Sequence, residues 1–163
     1  MRIVAMTASY AAEIGTWRYE PPYDFYDMTS ADPAFLASAE SGFFALVDVD
    51  ELIGFRSFGD DGQVPGGKYD LSALDTGGGL RPDLTGRGLG RLAISTGLEF
   101  GRQRFAPAAF RVTVATFNAR ALRVVESLGF GAVEDFLSSN DGRDYRILVR
   151  PEGVSAVICP SGR

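Results

Sequence analysis

Apolar and polar positions alternate or cluster in short runs along this chain, and each run is closed by glycine, proline, serine or an acidic residue. Arg2 to Met6 reads as a strand, and Thr7 is set to cap a helical pattern over Ala8 to Trp17. Asp32-Pro33 is a helix start, with the acid at the cap and proline in the first turn, and the helix is expected to reach about Glu40. Phe43 to Asp48 and Leu52 to Phe58 read as an antiparallel hairpin. Asp60 to Lys68, glycine-rich and holding Pro65, is a surface loop. Tyr69 to Leu80 is the expected central strand, stopped before Pro82, which has no N–H for a sheet ladder. Gly77-Gly78-Gly79 inside it suggests a bulge or the close approach of another backbone or a ligand. From Leu89 the spacing turns helical, through Leu92, Ala93, Thr96 and Phe100, and Gly97 and Gly101 share a face suited to tight packing on a sheet. Phe110 to Ala115 is the next strand, and Asn118 caps a helix over 119–128 that ends at Gly129. Ala132 to Leu137 and Tyr145 to Val149 form a terminal hairpin. Residues 151–163 read as a loose tail in which Val154 to Ile158 offers an edge strand.

The order strand, glycine-spaced turn, helix carries chemistry. Gly86-Arg87-Gly88-Leu89-Gly90 opens directly into the long helix. Free backbone N–H groups and the positive end of a helix dipole converge there. Arg81, Arg87 and Arg91 add full charges in a chain of net charge -5. This is an anion site suited to a pyrophosphate. It is not a Rossmann fingerprint, because Arg91 and Ala93 stand where the third glycine would be needed. Nor is the run Gly62 to Tyr69 a Walker loop, since Tyr69 replaces the Ser or Thr and no helical pattern follows.

Composition narrows the classes. The chain has 163 residues, 45% hydrophobic and 23% charged, which fits one globular domain spanning 1–163. No apolar run approaches the ~20 residues of a membrane span, so no membrane partner is expected. Without histidine, and with Cys159 alone, there is neither a disulfide framework nor the ligand set for zinc. A net acidic chain is a poor nucleic-acid binder but can attract a cationic acceptor. Cytoplasm is the expected compartment. Between Trp17 and Asp27 five aromatics interleave with three acids around two prolines. Tyr19, Glu20, Tyr23 and Tyr26 from this run suit either a cap on the core or the wall of a pocket for a cation.

Two stretches together resemble the GNAT acetyltransferases. Leu80 to Gly90 is similar to that family's strand–Pro–Q/R-x-x-G-x-G/A–helix signature, with Thr85 where Gln or Arg is usual. Asn118 to Phe130 resembles its N-x-x-A-x-x-x-Y-x-x-x-G-F motif, with Val125 in place of the Tyr. The resemblance implies a mixed α/β fold: a twisted, mostly antiparallel sheet of six to seven strands, about four flanking helices, and two parallel central strands that splay. It implies acetyl-CoA as cofactor, its pyrophosphate on the amides of Thr85, Gly86, Arg87, Gly88, Leu89 and Gly90. Arg81 and Arg91 would stand beside them, the pantetheine arm would pair with Gly78, Gly79 and Leu80, and Asn118 would touch the cofactor. The run holding Tyr19 would cover the acceptor. Homodimers are common in such enzymes.

The expected activity is therefore acetyl transfer to a primary amine of a small molecule or peptide, by direct attack in a ternary complex. The family's usual proton donor is absent at Val125. A glutamate used by the related ribosomal-protein alanine acetyltransferases is replaced by Thr113, which argues against that activity. Asp75 on the central strand and Tyr145 at the start of the last strand are the candidate catalytic groups, with Tyr19, Tyr23 and Tyr26 as further hydroxyls. The loss of both usual side chains also leaves open a non-catalytic coenzyme A-binding sensor. Transfer to a hydroxyl, or of a longer acyl group, is a third reading.

Overall fold

A computed structural model describes residues 1–153. Among these residues seven strands form one sheet: β1 (Arg2–Ala5), β2 (Phe43–Asp48), β3 (Glu51–Phe58), β4 (Leu74–Leu80), β5 (Ala109–Ala115), β6 (Gly131–Leu137) and β7 (Asp144–Pro151). Their spatial order is β1-β2-β3-β4-β5-β7-β6, and β4 with β5 is the parallel pair. Four α-helices flank them: α1 (Ala8–Gly15), α2 (Pro33–Leu36), α3 (Gly90–Phe105) and α4 (Ala119–Ser127).

The alternation along each strand divides the core between the two faces. Met6, Ala11, Ile14, Trp17 and Leu36, from the α1–α2 side, pack on Ala45, Val47 and Leu52. On the other face Leu98 of α3, with Leu122 and Val125 of α4, packs on Phe58, Phe110, Val112, Val114 and Leu148. Each buried Val, Leu, Ile, Met or Phe side chain among them contributes about 1.5–3 kcal/mol. All three expected caps form: Thr7 Oγ1 accepts from the Tyr10 N–H at 3.1 Å, Asp32 Oδ1 from the Ala34 N–H at 3.0 Å, and Asn118 Oδ1 from the Ala121 N–H at 3.1 Å. A Cβ at Gly101 would stand 2.8 Å from a ring atom of Phe58 and 2.9 Å from one of Phe110, so the absent side chain lets α3 lie on the sheet.

Several boundaries differ from expectation. The central strand begins at Leu74, not Tyr69. Asp70 turns the chain first, its carboxylate accepting from the Ser72 N–H at 3.0 Å. Helix α2 is a single turn, because the serine-containing run from Ala37 to Glu40 breaks into turns and Ser41 Oγ accepts from the Phe43 N–H at the start of β2. Helix α1 stops at Gly15. Pro151 belongs to β7, opposite Ala109, rather than to a tail. The edge strand considered at 154–158, and Cys159, lie outside the described residues.

One irregularity organises the rest. Strands β4 and β5 pair only at Leu74 with Phe110 and at Asp75 with Arg111. Beyond that rung both continue, β4 to Leu80 and β5 to Ala115, without hydrogen bonds between them. The sheet splays from an apex at Asp75 and Arg111.

Candidate active site

The splay opens a cleft of about 1050 Å³ that runs from the turn after β4 to the aromatic segment after α1. Gly77, Gly78, Gly79 and Leu80 form one edge, and Val112, Thr113 and Val114 of β5 the other. Two strands with unpaired facing edges in a groove are a place where an extended ligand can add main-chain hydrogen bonds.

At the outer end, Gly86 and Gly88 take φ +74° and +80°, the left-handed region that glycine enters without steric cost. A Cβ at Gly88 would meet nothing within 4 Å, so the turn is an open cradle. Leu89 caps α3 without a side-chain hydrogen bond, and the N–H groups of Gly86 through Leu89 make no backbone hydrogen bond among the described residues. These free donors and the dipole of a 16-residue helix give the positive potential that a phosphate needs. Arg91 lines the cleft while donating from Nη1 to the Ser127 carbonyl at 3.0 Å. Arg120 and Arg123 of α4 line it too, and a Cβ at Gly86 would stand 3.0 Å from Arg120 Nη1.

The aromatic segment closes over the same open side of the splay, against Leu80 and Asn118. Tyr19 Oη donates to the Leu80 carbonyl at 2.7 Å, and Tyr26 Oη accepts from Asn118 Nδ2 at 3.4 Å. Burial pushes the Tyr19 hydroxyl up to about 12 and raises that of Tyr26, so both stay protonated at neutral pH. Tyr23 and Phe25 pack on Phe117 at centroid distances of 5.5 and 5.6 Å.

The comparisons with known proteins agree with this geometry. The family model described as the acetyltransferase (GNAT) family matches residues 7–130, which include the splay, the glycine turn and Asn118. The chain belongs to the GNAT acetyltransferase family. Among solved structures it is similar to a GNAT-family acetyltransferase from Bacillus anthracis, with a TM-score of 0.70 at 16% identity over 91% of this chain and 93% of that one. A mutant spermidine N-acetyltransferase from Vibrio cholerae gives 0.67 at 16% identity, over 93% and 95% of the two chains. A ribosomal-protein alanine N-acetyltransferase from Escherichia coli gives 0.62 at 19% identity, over 96% and 97%. These likenesses establish a common fold. No curated protein matches the chain by sequence.

Within this GNAT cleft the expected residues divide. Gly78, Gly79, Leu80, Thr85, Gly86, Gly88, Gly90, Arg91, Asn118, Tyr19, Glu20, Tyr23 and Tyr26 all line it. Arg81 does not. Its guanidinium is taken by Asp83 at 2.7 Å, Glu51 at 3.1 Å and the Leu52 carbonyl at 2.9 Å, so it braces the strand end. The Arg87 and Leu89 side chains also lie outside the lining, although their amides belong to the turn.

Asp75 is not a free base. Arg111 Nε and Nη2 reach its two carboxylate oxygens at 2.6 and 2.7 Å, and Gln63 Nε2 reaches Oδ2 at 2.9 Å. Both charged side chains are about 95% buried, so the pair pins the rung where the strands part. Tyr145 is also outside the cleft. It stacks on Phe136 at 5.9 Å, and burial followed by the charge of Asp141 pushes its hydroxyl up to about 12. The free aromatic wall expected for a cationic acceptor is partly used by the chain itself. Arg120 sits 4.7 Å over Tyr23 and Arg143 4.2 Å over Phe25.

Sequence reasoning missed Arg120, although it lies two residues after the motif's Asn118. It also missed Arg56 of β3, buried in the cleft wall, which no local pattern marks.

Proposed function

We propose that the chain transfers an acetyl group from acetyl-CoA to a primary amine of a small molecule or peptide, by direct attack with both substrates in the cleft. The observation that carries this reading is the pair of unpaired edges, β4 from Gly77 to Leu80 and β5 from Val112 to Ala115, joined to an open glycine cradle at a helix N-terminus. Acetyl-CoA supplies the acyl group and its thiol leaving group when bound. The residues fit it. Amides of Gly86 to Gly90 hold the pyrophosphate, with Arg91 and Arg120 as the nearby charges; the Thr85 N–H, expected among these donors, is taken by the Pro82 carbonyl at 3.3 Å. The arm lies along Gly78 and Gly79, since the Leu80 carbonyl is already occupied by Tyr19.

Among the cleft hydroxyls, Tyr26 is the one we assign to proton donation. It is protonated at neutral pH and sits beside Asn118, the first residue of the motif whose usual donor is replaced by Val125. Asp75 and Tyr145 are not assigned a chemical role, for the reasons of geometry given above. Proximity in one cleft supplies much of the rate. The segment from Tyr19 to Tyr26, with exposed Glu20, faces the acceptor.

The test is thermal melting with acetyl-CoA followed by thiol release across an amine panel. Ligand at about 100 times its Kd adds about 2.7 kcal/mol and shifts the melt clearly. Gly88→Glu puts a side chain on a positive-φ position and a carboxylate into the cradle, and is expected to abolish the shift. A wild-type melt unmoved by acetyl-CoA overturns the reading. A shift without thiol release from any amine favours the coenzyme A sensor, the reading that Val125 and Thr113 support.

A further inference from the structure

Among the described residues, Arg56 is a cation with no counter-ion. It stands on β3 opposite Gly78 of β4 and is only 6% exposed. Its guanidinium lies in a slot made by two absent side chains. A Cβ at Gly97 of α3 would stand 2.9 Å from Nε, and one at Gly78 would stand 2.9 Å from Nη1. One side-chain hydrogen bond holds it, from Nη2 to Thr76 Oγ1 at 3.0 Å. Nε has no partner. Among the described residues no carboxylate comes within ion-pair distance of it, and the acids that line the cleft are committed or remote. Asp83 is bound to Arg81, and Glu20 is exposed on the aromatic segment. Burial alone depresses the guanidinium, to about 10.

A buried charge without a partner is costly, and proteins pair such groups or set them where a ligand completes them. Arg56 lines the cleft, so the partner has a route in. The phosphate cradle is at the opposite end of β4, after Leu80, whereas Arg56 lies at Thr76 and Gly78 near the apex. A second anionic group is therefore called for at the apex. Gly77, Gly78 and Gly79 leave the floor there without side chains.

We propose that Arg56 receives a carboxylate on the acyl group, so that the preferred donor is a coenzyme A thioester of a dicarboxylic acid, of the succinyl class, rather than acetyl-CoA. The inference rests on the reading of the cleft as a coenzyme A thioester site and changes only the acyl group. The chemistry is the same. The amine nitrogen bonds to the thioester carbon, the carbon–sulfur bond breaks, the sulfur leaves as thiol with the proton the amine gives up, and the distal carboxylate is unaltered. Guanidinium and carboxylate match as a fork to two oxygens, which a neutral acetyl group cannot satisfy.

The experiment is equilibrium binding of coenzyme A, acetyl-CoA and succinyl-CoA to the wild type, Arg56→Met and Arg56→Lys. The wild type should bind succinyl-CoA about tenfold more tightly than acetyl-CoA, the size of one charge-assisted hydrogen bond. Arg56→Met should remove that preference while keeping its affinity for coenzyme A, which also reports that it is folded, and Arg56→Lys should restore part of it. Equal binding of the two thioesters by the wild type, or a preference that survives in Arg56→Met, overturns the proposal. So does an Arg56-dependent preference for amino acids over simple amines as acceptors, which would assign the carboxylate to the acceptor. Failure of coenzyme A itself to bind the wild type would instead defeat the reading of the cleft.

Discussion

Two arginines are buried within a few residues of the apex of the splay, and they are treated in opposite ways. Arg111 on β5 is surrounded by acceptors: both oxygens of Asp75, the Asp70 carboxylate at 3.1 Å and the Asp70 carbonyl at 2.9 Å. Hydrogen bonding to Asp75 raises its basicity, so it is a fixed cation. Arg56 on β3, just as deeply buried, has one hydroxyl and, among the described residues, no acid. Buried ion pairs need full hydrogen bonding to offset desolvation, and only one of these cations has it. The difference separates a charge that builds the apex from a charge left for what enters it.

The largest expected effect breaks the first arginine's environment. Asp75→Ala leaves Arg111 buried with only the exposed Asp70 opposite, and should cost about 3–5 kcal/mol. Arg56→Met removes a charge that has no partner and should leave stability unchanged or raise it by about 1–4 kcal/mol. Urea unfolding of both variants measures the contrast. If Arg56→Met is as damaging as Asp75→Ala, Arg56 is a structural group and the distinction collapses.

The same contrast explains what could be read from the chain. The two GNAT signatures, from Leu80 to Gly90 and from Asn118 to Phe130, are local: turn, cap and helix stand side by side in sequence. So the cradle, the Asn118 cap and the element order were visible. The roles of Asp75 and Arg81 were not, because their partners come from elsewhere in the chain: Arg111 is 36 residues from Asp75, and Glu51 is 30 residues from Arg81. An acid on a strand near a cleft looks like a base until the arginine across the rung is known. Arg56 was invisible for a related reason. Its slot is made by Gly78 and Gly97, and those glycines read as a bulge and as helix packing when taken alone. The start of the central strand was misplaced because one side chain, Asp70, turns the backbone where residue preferences alone favour extension.

A smaller effect sharpens the role of that slot. Gly97→Ala gains about 1 kcal/mol of helix propensity, but its Cβ would meet Arg56 at Nε, Cγ and Cδ, 2.9 to 3.1 Å away. Those atoms are in the middle of a clamped side chain and cannot swing aside, so overpacking of about 1–3 kcal/mol should outweigh the gain. In an Arg56→Ala background the clash disappears and the same substitution should stabilise. A double-mutant cycle by urea unfolding reads the change of sign. Additive effects would mean that Gly97 is small for some other neighbour.

The smallest expected effect is a pH dependence that isolates Arg56 from every other group. Its folded-state value of about 10 lies below the ordinary guanidinium range, so folding disfavours its charged form. The penalty is complete below about pH 10 and fades as the pH rises through 10 toward the ordinary guanidinium range. Tyr19 and Tyr145 act in the other sense. Their folded values of about 12 lie above 10, so their contribution is complete below pH 10 and is lost as the pH climbs from 10 through 12. Wild type and Arg56→Met share those tyrosines, so their part cancels in the difference between the two proteins. The stability advantage of Arg56→Met should therefore be constant from pH 7 to 9 and shrink measurably by pH 10.5. A gap that stays constant across that range would mean that Arg56 keeps its proton as firmly as Arg111 does, and that an anion already within the fold neutralises it.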